Sequence, residues 1–176
     1  MSSRPDRRAI AFHEAGHAVL AWQNAKPGSV SAVLISTETG SGGFTFFDLA
    51  GAAPWQRYAV KIAGPLAMAV YAECNGLSIA HEPSEDVIQG LAQALEDAGA
   101  VGNGDSGLEP VYTPESLVAI ESGARRRSIE AQALRLLRQH WPAVEAIAAA
   151  LEDRGGLSAR EVTRIMRRHG VERARA

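Results

Sequence analysis

Apolar residues recur at helical spacing from residue 5 to residue 24, and the pattern predicts a helix there. Pro5 suits its first turn, Asp6 favours the positive end of the helix dipole, and Pro27-Gly28 ends the segment. Residues 30–37 are β-branched and apolar and predict a strand. Thr39 to Gly43 then reads as a turn, and Phe44 to Phe47 as a second strand, so the pair suggests a hairpin or two edge strands of a small sheet. Pro54 opens a helix over 54–63. Gly64-Pro65 should break or kink it, because proline removes a donor and clashes with the preceding turn, and the helical pattern resumes from Leu66 to Glu73.

Gly76 to Pro83 reads as a loop, and Ser84 caps a helix to about Asp97 with Glu85 and Asp86 in its first turn. The five glycines of 99–112 predict a mobile loop. Thr113-Pro114-Glu115 starts a long helix ending near His140, and Trp141-Pro142 starts another to about Arg154. After Gly155-Gly156 comes a last helix, with Ser158 and Glu161 spaced as a capping box. The expected fold is mostly α, an α+β arrangement with a small sheet. It forms one domain over 1–176, with a core in 5–98 and a C-terminal helical part in 113–170.

Composition narrows the class. The chain has 176 residues, 46% hydrophobic and 22% charged, which is enough to bury a core without staples. A net charge of -2 excludes nucleic-acid binding by bulk positive charge. The Arg125-Arg126-Arg127 run and the arginines of the tail (Arg164, Arg167, Arg168, Arg173, Arg175) read as solvated faces. The single cysteine, Cys74, excludes a disulfide framework and every multi-cysteine metal site, and reads as a small buried residue. Leu134, Leu136, Leu137, Val144, Ile147 and Leu151 read as core or an oligomer seam. Arg4, Arg7 and Arg8 before the apolar 9–22 stretch imitate a signal peptide, but His13, Glu14 and His17 interrupt it. No run of about 18 uncharged apolar residues occurs, so no membrane span is expected, and a cytoplasmic location is.

The chemistry concentrates in His13-Glu14-Ala15-Gly16-His17, the pattern H-E-x-x-H inside a predicted helix. Positions four apart differ by only about 40° around a helix axis, so the two imidazoles project to one side and can share a metal. Glu14, about 100° from His13, can reach a water at that metal without being a ligand. Phe12, Ala15, Val19 and Trp22 lie on the opposite face and anchor the helix. A catalytic zinc takes three protein ligands and a water. The third is open among His81, Glu73, Glu82, Glu85 and Asp86, with His140 and His169 further off, and a helix N-terminus facing the site would favour Glu85 or Asp86.

The chain resembles the peptidase domain of the FtsH family of zinc metalloproteases. The residues that carry the resemblance are Ala11-Phe12-His13-Glu14-Ala15-Gly16-His17-Ala18, the strands of Ser31 to Phe47 with Gly43-Phe44-Thr45, and Ile62-Ala63-Gly64-Pro65-Leu66-Ala67. Ser84-Glu85-Asp86-Val87 and the closing helices from Arg125 to Ile165 add to it. The resemblance implies Zn²⁺ held by His13, His17 and Asp86, Glu14 as the catalytic base, and a polypeptide substrate. It also implies a possible homo-oligomer, a hexamer by analogy. Family members carry an ATPase module with a G-x-x-x-x-G-K-[ST] loop. Here Lys26 precedes Pro27 and Lys61 precedes Ile62, so neither lysine lies in such a loop. The expectation is a free-standing, ATP-independent endopeptidase for flexible or unfolded polypeptides, with Phe44 to Phe47 binding substrate by strand addition or else packing in the core. The alternatives are a non-catalytic zinc-bound scaffold and a subunit activated by a separate partner ATPase. Neither nucleic acid nor membrane is an expected partner.

Overall fold

A computed structural model describes residues 7–37, 40–76 and 123–173. The elements run α1 (Arg7–Asn24), β1 (Ser31–Thr37), β2 (Gly40–Phe46), α2 (Pro54–Cys74), α3 (Gly123–Gln139), α4 (Trp141–Arg154), β3 (Gly156–Leu157) and α5 (Ala159–Arg168). The chain is thus mostly helical with a three-stranded antiparallel sheet in the order β2-β1-β3. No described helix is long and apolar enough to cross a membrane.

α1 is the centre of the molecule. It packs against α2, α4 and β2, and it is buried nearly all round. That is why its sequence carries alanine on almost every side: Ala11, Ala15, Ala18 and Ala21 have no exposed surface. Phe12, Ala15, Val19 and Trp22 are buried as the spacing predicts. Phe12 stacks on Tyr71 of α2 at 4.3 Å and on Trp141 of α4 at 5.5 Å between ring centroids, so it joins three helices. Leu137, Val144, Ile147 and Leu151 are fully buried and belong to the core rather than to an outer seam.

α1 and α2 cross at very short range. A Cβ placed on Gly16 would stand 2.5 Å from both the Ala63 carbonyl oxygen and the Ala67 Cβ, so only glycine admits this approach. The approach also explains why Gly64-Pro65 does not interrupt α2, which runs unbroken from Pro54 to Cys74. Proline forfeits one helical hydrogen bond, but burial of Val60, Ala63 and Ala67 against α1 holds both halves in line. At the start of α2, Gln56 Oε1 accepts from the Ala53 N–H at 2.7 Å. Its Nε2 donates to Asn24 Oδ1 at 2.9 Å, tying the helix to the end of α1.

The sheet differs from expectation in two places. β2 begins at Gly40 rather than Phe44, and the pairing with β1 runs from Ser31↔Phe46 to Thr37↔Gly40. The glycines read as a turn are therefore strand residues. β3 was expected as a linker. Its two residues pair with Ala32 and Val33, too short a stretch to leave a period in the sequence. Gly155 ends α4 with φ 74°, its N–H returning to Leu151 O at 2.8 Å, and the Ser158–Glu161 capping box starts α5 as expected.

Two readings of single side chains are corrected. Cys74 is exposed at the end of α2, where the helix has run clear of the core. Arg173 is not on a solvated face. Its guanidinium lies 4.3 Å over the Trp22 ring and donates to Ala25 O at 2.7 Å, while Trp22 Nε1 donates to Val171 O. Arg127, Arg164, Arg167 and Arg168 are exposed as expected.

Candidate metal centre

One turn of α1 turns both motif histidines toward α2. Their Nε2 atoms lie 3.1 Å apart, against about 3.3 Å for two nitrogens on one tetrahedral zinc. His17 Nδ1 donates to the Val60 carbonyl at 2.7 Å, which fixes its tautomer and leaves the Nε2 lone pair directed at the His13 ring. His13 Nδ1 faces the sulfur of Met68 at 3.3 Å. A thioether has no proton to give, so Met68 can accept from His13 Nδ1 but cannot donate to it. With both ring protons on Nδ1, the two Nε2 lone pairs face one shared position where a cation fits between them.

Burial decides which cation. It is the main cause holding His13 down to about 4, with the neighbouring His17 ring adding to it, and it lowers His17 also. A shared proton is therefore disfavoured at neutral pH. Space for a larger cation comes from α2. A Cβ on Gly64 would fall 2.5 Å from His17 Nε2 and 2.6 Å from His13 Nε2, so the missing side chain leaves a notch between the two donors. Two neutral imidazoles with anchored Nδ1 atoms, converging on such a notch, suit zinc in donor type and spacing.

Glu14 points to the other wall. It is only 5% exposed, and its Oε2 accepts from the Thr45 hydroxyl of β2 at 2.7 Å. Gly43 makes room for it. A Cβ there would meet the Glu14 Cγ at 2.5 Å and its Cδ and Oε1 at 2.9 Å. Burial raises the Glu14 carboxyl above its ordinary value, and the Thr45 hydrogen bond draws it part of the way back. Among the described strands β2 lies at one edge of the sheet. Its inner face holds Gly43 and Thr45 against Glu14, while Phe44 and Phe46 stand 56% and 55% exposed on the outer face. Core packing of Phe44 and Phe46 is thereby excluded, and Phe47 is the one of the three that packs on the core.

The structure thus brings His13 and His17 together and turns Glu14, from the same turn of α1, toward Gly43 and Thr45 of β2. Asp86 lies outside the described residues, as do His81, Glu82 and Glu85. Among the described candidates, Glu73 is paired with Arg138 at 2.7 Å, His169 is exposed at the end of α5, and His140 lines a groove with Leu20 and Trp55. No three His, Cys, Asp or Glu side chains are placed to hold a metal ion among the described residues, so the described part of the site supplies the two histidines and no third ligand. Sequence reasoning assigned no role to Thr45, Met68 or the Val60 carbonyl. Their signal is present in part: Val60, Gly64 and Met68 repeat at intervals of four, the same period as His13 and His17.

The half-buried histidines make the metal-free protein acid-sensitive. In an unfolded chain a histidine takes its proton near pH 6.5, whereas folded His13 waits until about 4. The unfolded state binds more protons in between, so stability falls as pH drops through that window, by about 3 kcal/mol from His13 alone. His17 acts in the same direction. Glu14, raised, acts oppositely: its contribution is lost as pH rises through its folded value. With two histidines against one carboxyl, urea melts of metal-free protein should show lower stability at pH 5 than at pH 7.5, and His13→Gln should reduce that difference. A difference unchanged in His13→Gln would show that the ring is not buried neutral.

No protein-family model matches the chain, and no curated protein matches it.

Proposed function

We propose that the chain is a zinc-dependent endopeptidase of the H-E-x-x-H type, similar to the FtsH peptidase domain, acting on flexible or unfolded polypeptides. The observation that carries this reading is the pair of Nε2 atoms 3.1 Å apart over the Gly64 notch, on the same helix turn as the buried Glu14. A purely structural metal site has no use for Glu14. His13 and His17 would hold the zinc, with Asp86 as third ligand by resemblance. When bound, zinc supplies a Lewis acid that polarises the scissile carbonyl and acidifies water.

Glu14 takes the proton of the attacking water and returns it to the leaving amine. Its raised carboxyl brings the base nearer to neutral pH, where such exchange is most effective. Thr45 holds Oε2 in place and so fixes the direction of the carboxylate. Among the described residues no strand pairs with the outer edge of β2, which offers backbone donors and acceptors to an extended segment, and Phe44 and Phe46 offer it apolar contact. Only a segment released from its own secondary structure can pair along such an edge, which is why the substrate class is unfolded polypeptide.

The test is cleavage of an unfolded model protein by zinc-loaded enzyme. Chelator-sensitive cleavage supports the reading. Stoichiometric zinc without cleavage would replace it with a non-catalytic scaffold or a subunit that needs a partner ATPase.

A further inference from the structure

β2 presents two faces of opposite chemistry. Gly43 and Thr45 turn inward to Glu14, while Phe44 and Phe46 turn outward and stay more than half exposed. The two ring centroids lie 6.4 Å apart, close to the roughly 6.7 Å between alternate side chains of any extended strand. Across the sheet Phe44 pairs with Val33 and Phe46 with Ser31, so the first ring has an apolar neighbour in β1 and the second a polar one. A phenylalanine side chain presents about 200 Å², so the two rings together leave open about that much. A stable interface with a second copy of the chain would need about 800 Å² from each partner. The patch therefore suits two side chains of a short segment rather than another folded molecule.

We propose that Phe44 and Phe46 set the sequence specificity of the β2 edge: the polypeptide segment that pairs there carries apolar side chains two residues apart, one opposite each ring. The proposal rests on the peptidase reading and adds the substrate's pattern to it. Residues opposite one another on paired strands share a face of the sheet. The segment residue between the two apolar ones falls opposite Thr45, whose hydroxyl donates to the Glu14 carboxylate at 2.7 Å. Its side chain lies on the Glu14 face, away from both rings, so it is free of the apolar requirement. The cut bond stands at a fixed offset from the apolar pair. Val33 beside Phe44 makes that position the more strictly apolar of the two.

The test is a library of peptides with a randomised central stretch, cut by zinc-loaded protein and read by mass spectrometry. The expected profile, aligned on the cut bond, enriches apolar residues up to about 5-fold at two positions separated by one. Phe44→Ser should lose the enrichment at one of them and Phe46→Ser at the other, and Phe44→Leu should keep both. A wild-type profile without such a pair overturns the proposal, as do serine variants that lose both positions together or neither. Sedimentation of wild type as a dimer that Phe46→Ser dissociates also overturns it, by giving the face to a second copy. Peptide arrays probed with Glu14→Gln separate this proposal from the peptidase reading. Arrayed peptides bound with the two-residue pattern, but never cut by wild type, keep the strand recognition and end the peptidase assignment.

Discussion

Gly64→Ala is expected to abolish zinc binding at working concentrations while leaving a folded protein. The added Cβ would stand 2.5 and 2.6 Å from the two Nε2 atoms, where ordinary contact begins near 3.4 Å. It occupies the ground between the donors, so the rings must part or α2 must lift away from α1. Either movement destroys the shared position, and affinity should fall at least about 100-fold. The fold is under less pressure. Overpacking costs about 1–3 kcal/mol, and alanine returns up to about 1 kcal/mol of helix propensity over glycine. Gly42→Ala is the control, since nothing lies within 4 Å of a Cβ there. Metal content after dialysis, with melts of the metal-free proteins, separates the two effects. Zinc retained by Gly64→Ala at wild-type affinity would place the metal elsewhere.

Glu14→Gln should keep the metal and lose the reaction. Thr45 can donate to an amide oxygen as it does to a carboxylate, so the side chain stays where it is. What disappears is the proton acceptor, worth about 10²–10⁴-fold in kcat. Stability should not fall, because a neutral amide escapes the desolvation that raises the native carboxyl. The measurement is cleavage of an unfolded protein by zinc-loaded wild type and variant side by side, with zinc content determined for both. Equal cleavage would remove Glu14 from the mechanism.

The motif was legible because its spacing is itself geometry: residues four apart on a helix must share a side, and His13 and His17 do. The surrounding positions were less so. Glycine signals that a side chain is absent without saying why. In Gly40 to Gly43 the turn reading failed because Gly43 yields its space to Glu14 across the sheet, a contact between residues 29 apart in the chain. Gly64-Pro65 suggested a break for a good local reason, and tertiary packing overrode it. The burial of α1 on nearly every side was hidden by its alanines, which suit any helix. Met68 and the Val60 carbonyl act by positions that only the crossing of α1 and α2 defines.

The central place of α1 has a consequence for biosynthesis. Phe12 needs Trp141 as well as Tyr71, and β1 takes one of its neighbours from Gly156 and Leu157. α1 is made before α4, yet Phe12 is closed over by Trp141, a residue made more than 120 positions later. A chain that still lacks Trp141 therefore cannot complete the packing around Phe12, although α1 and α2 can already meet at Gly16. The α1–α2 crossing that turns the histidines toward Gly64 can form early, while the support that α4 gives to α1 comes only after α4 has been made.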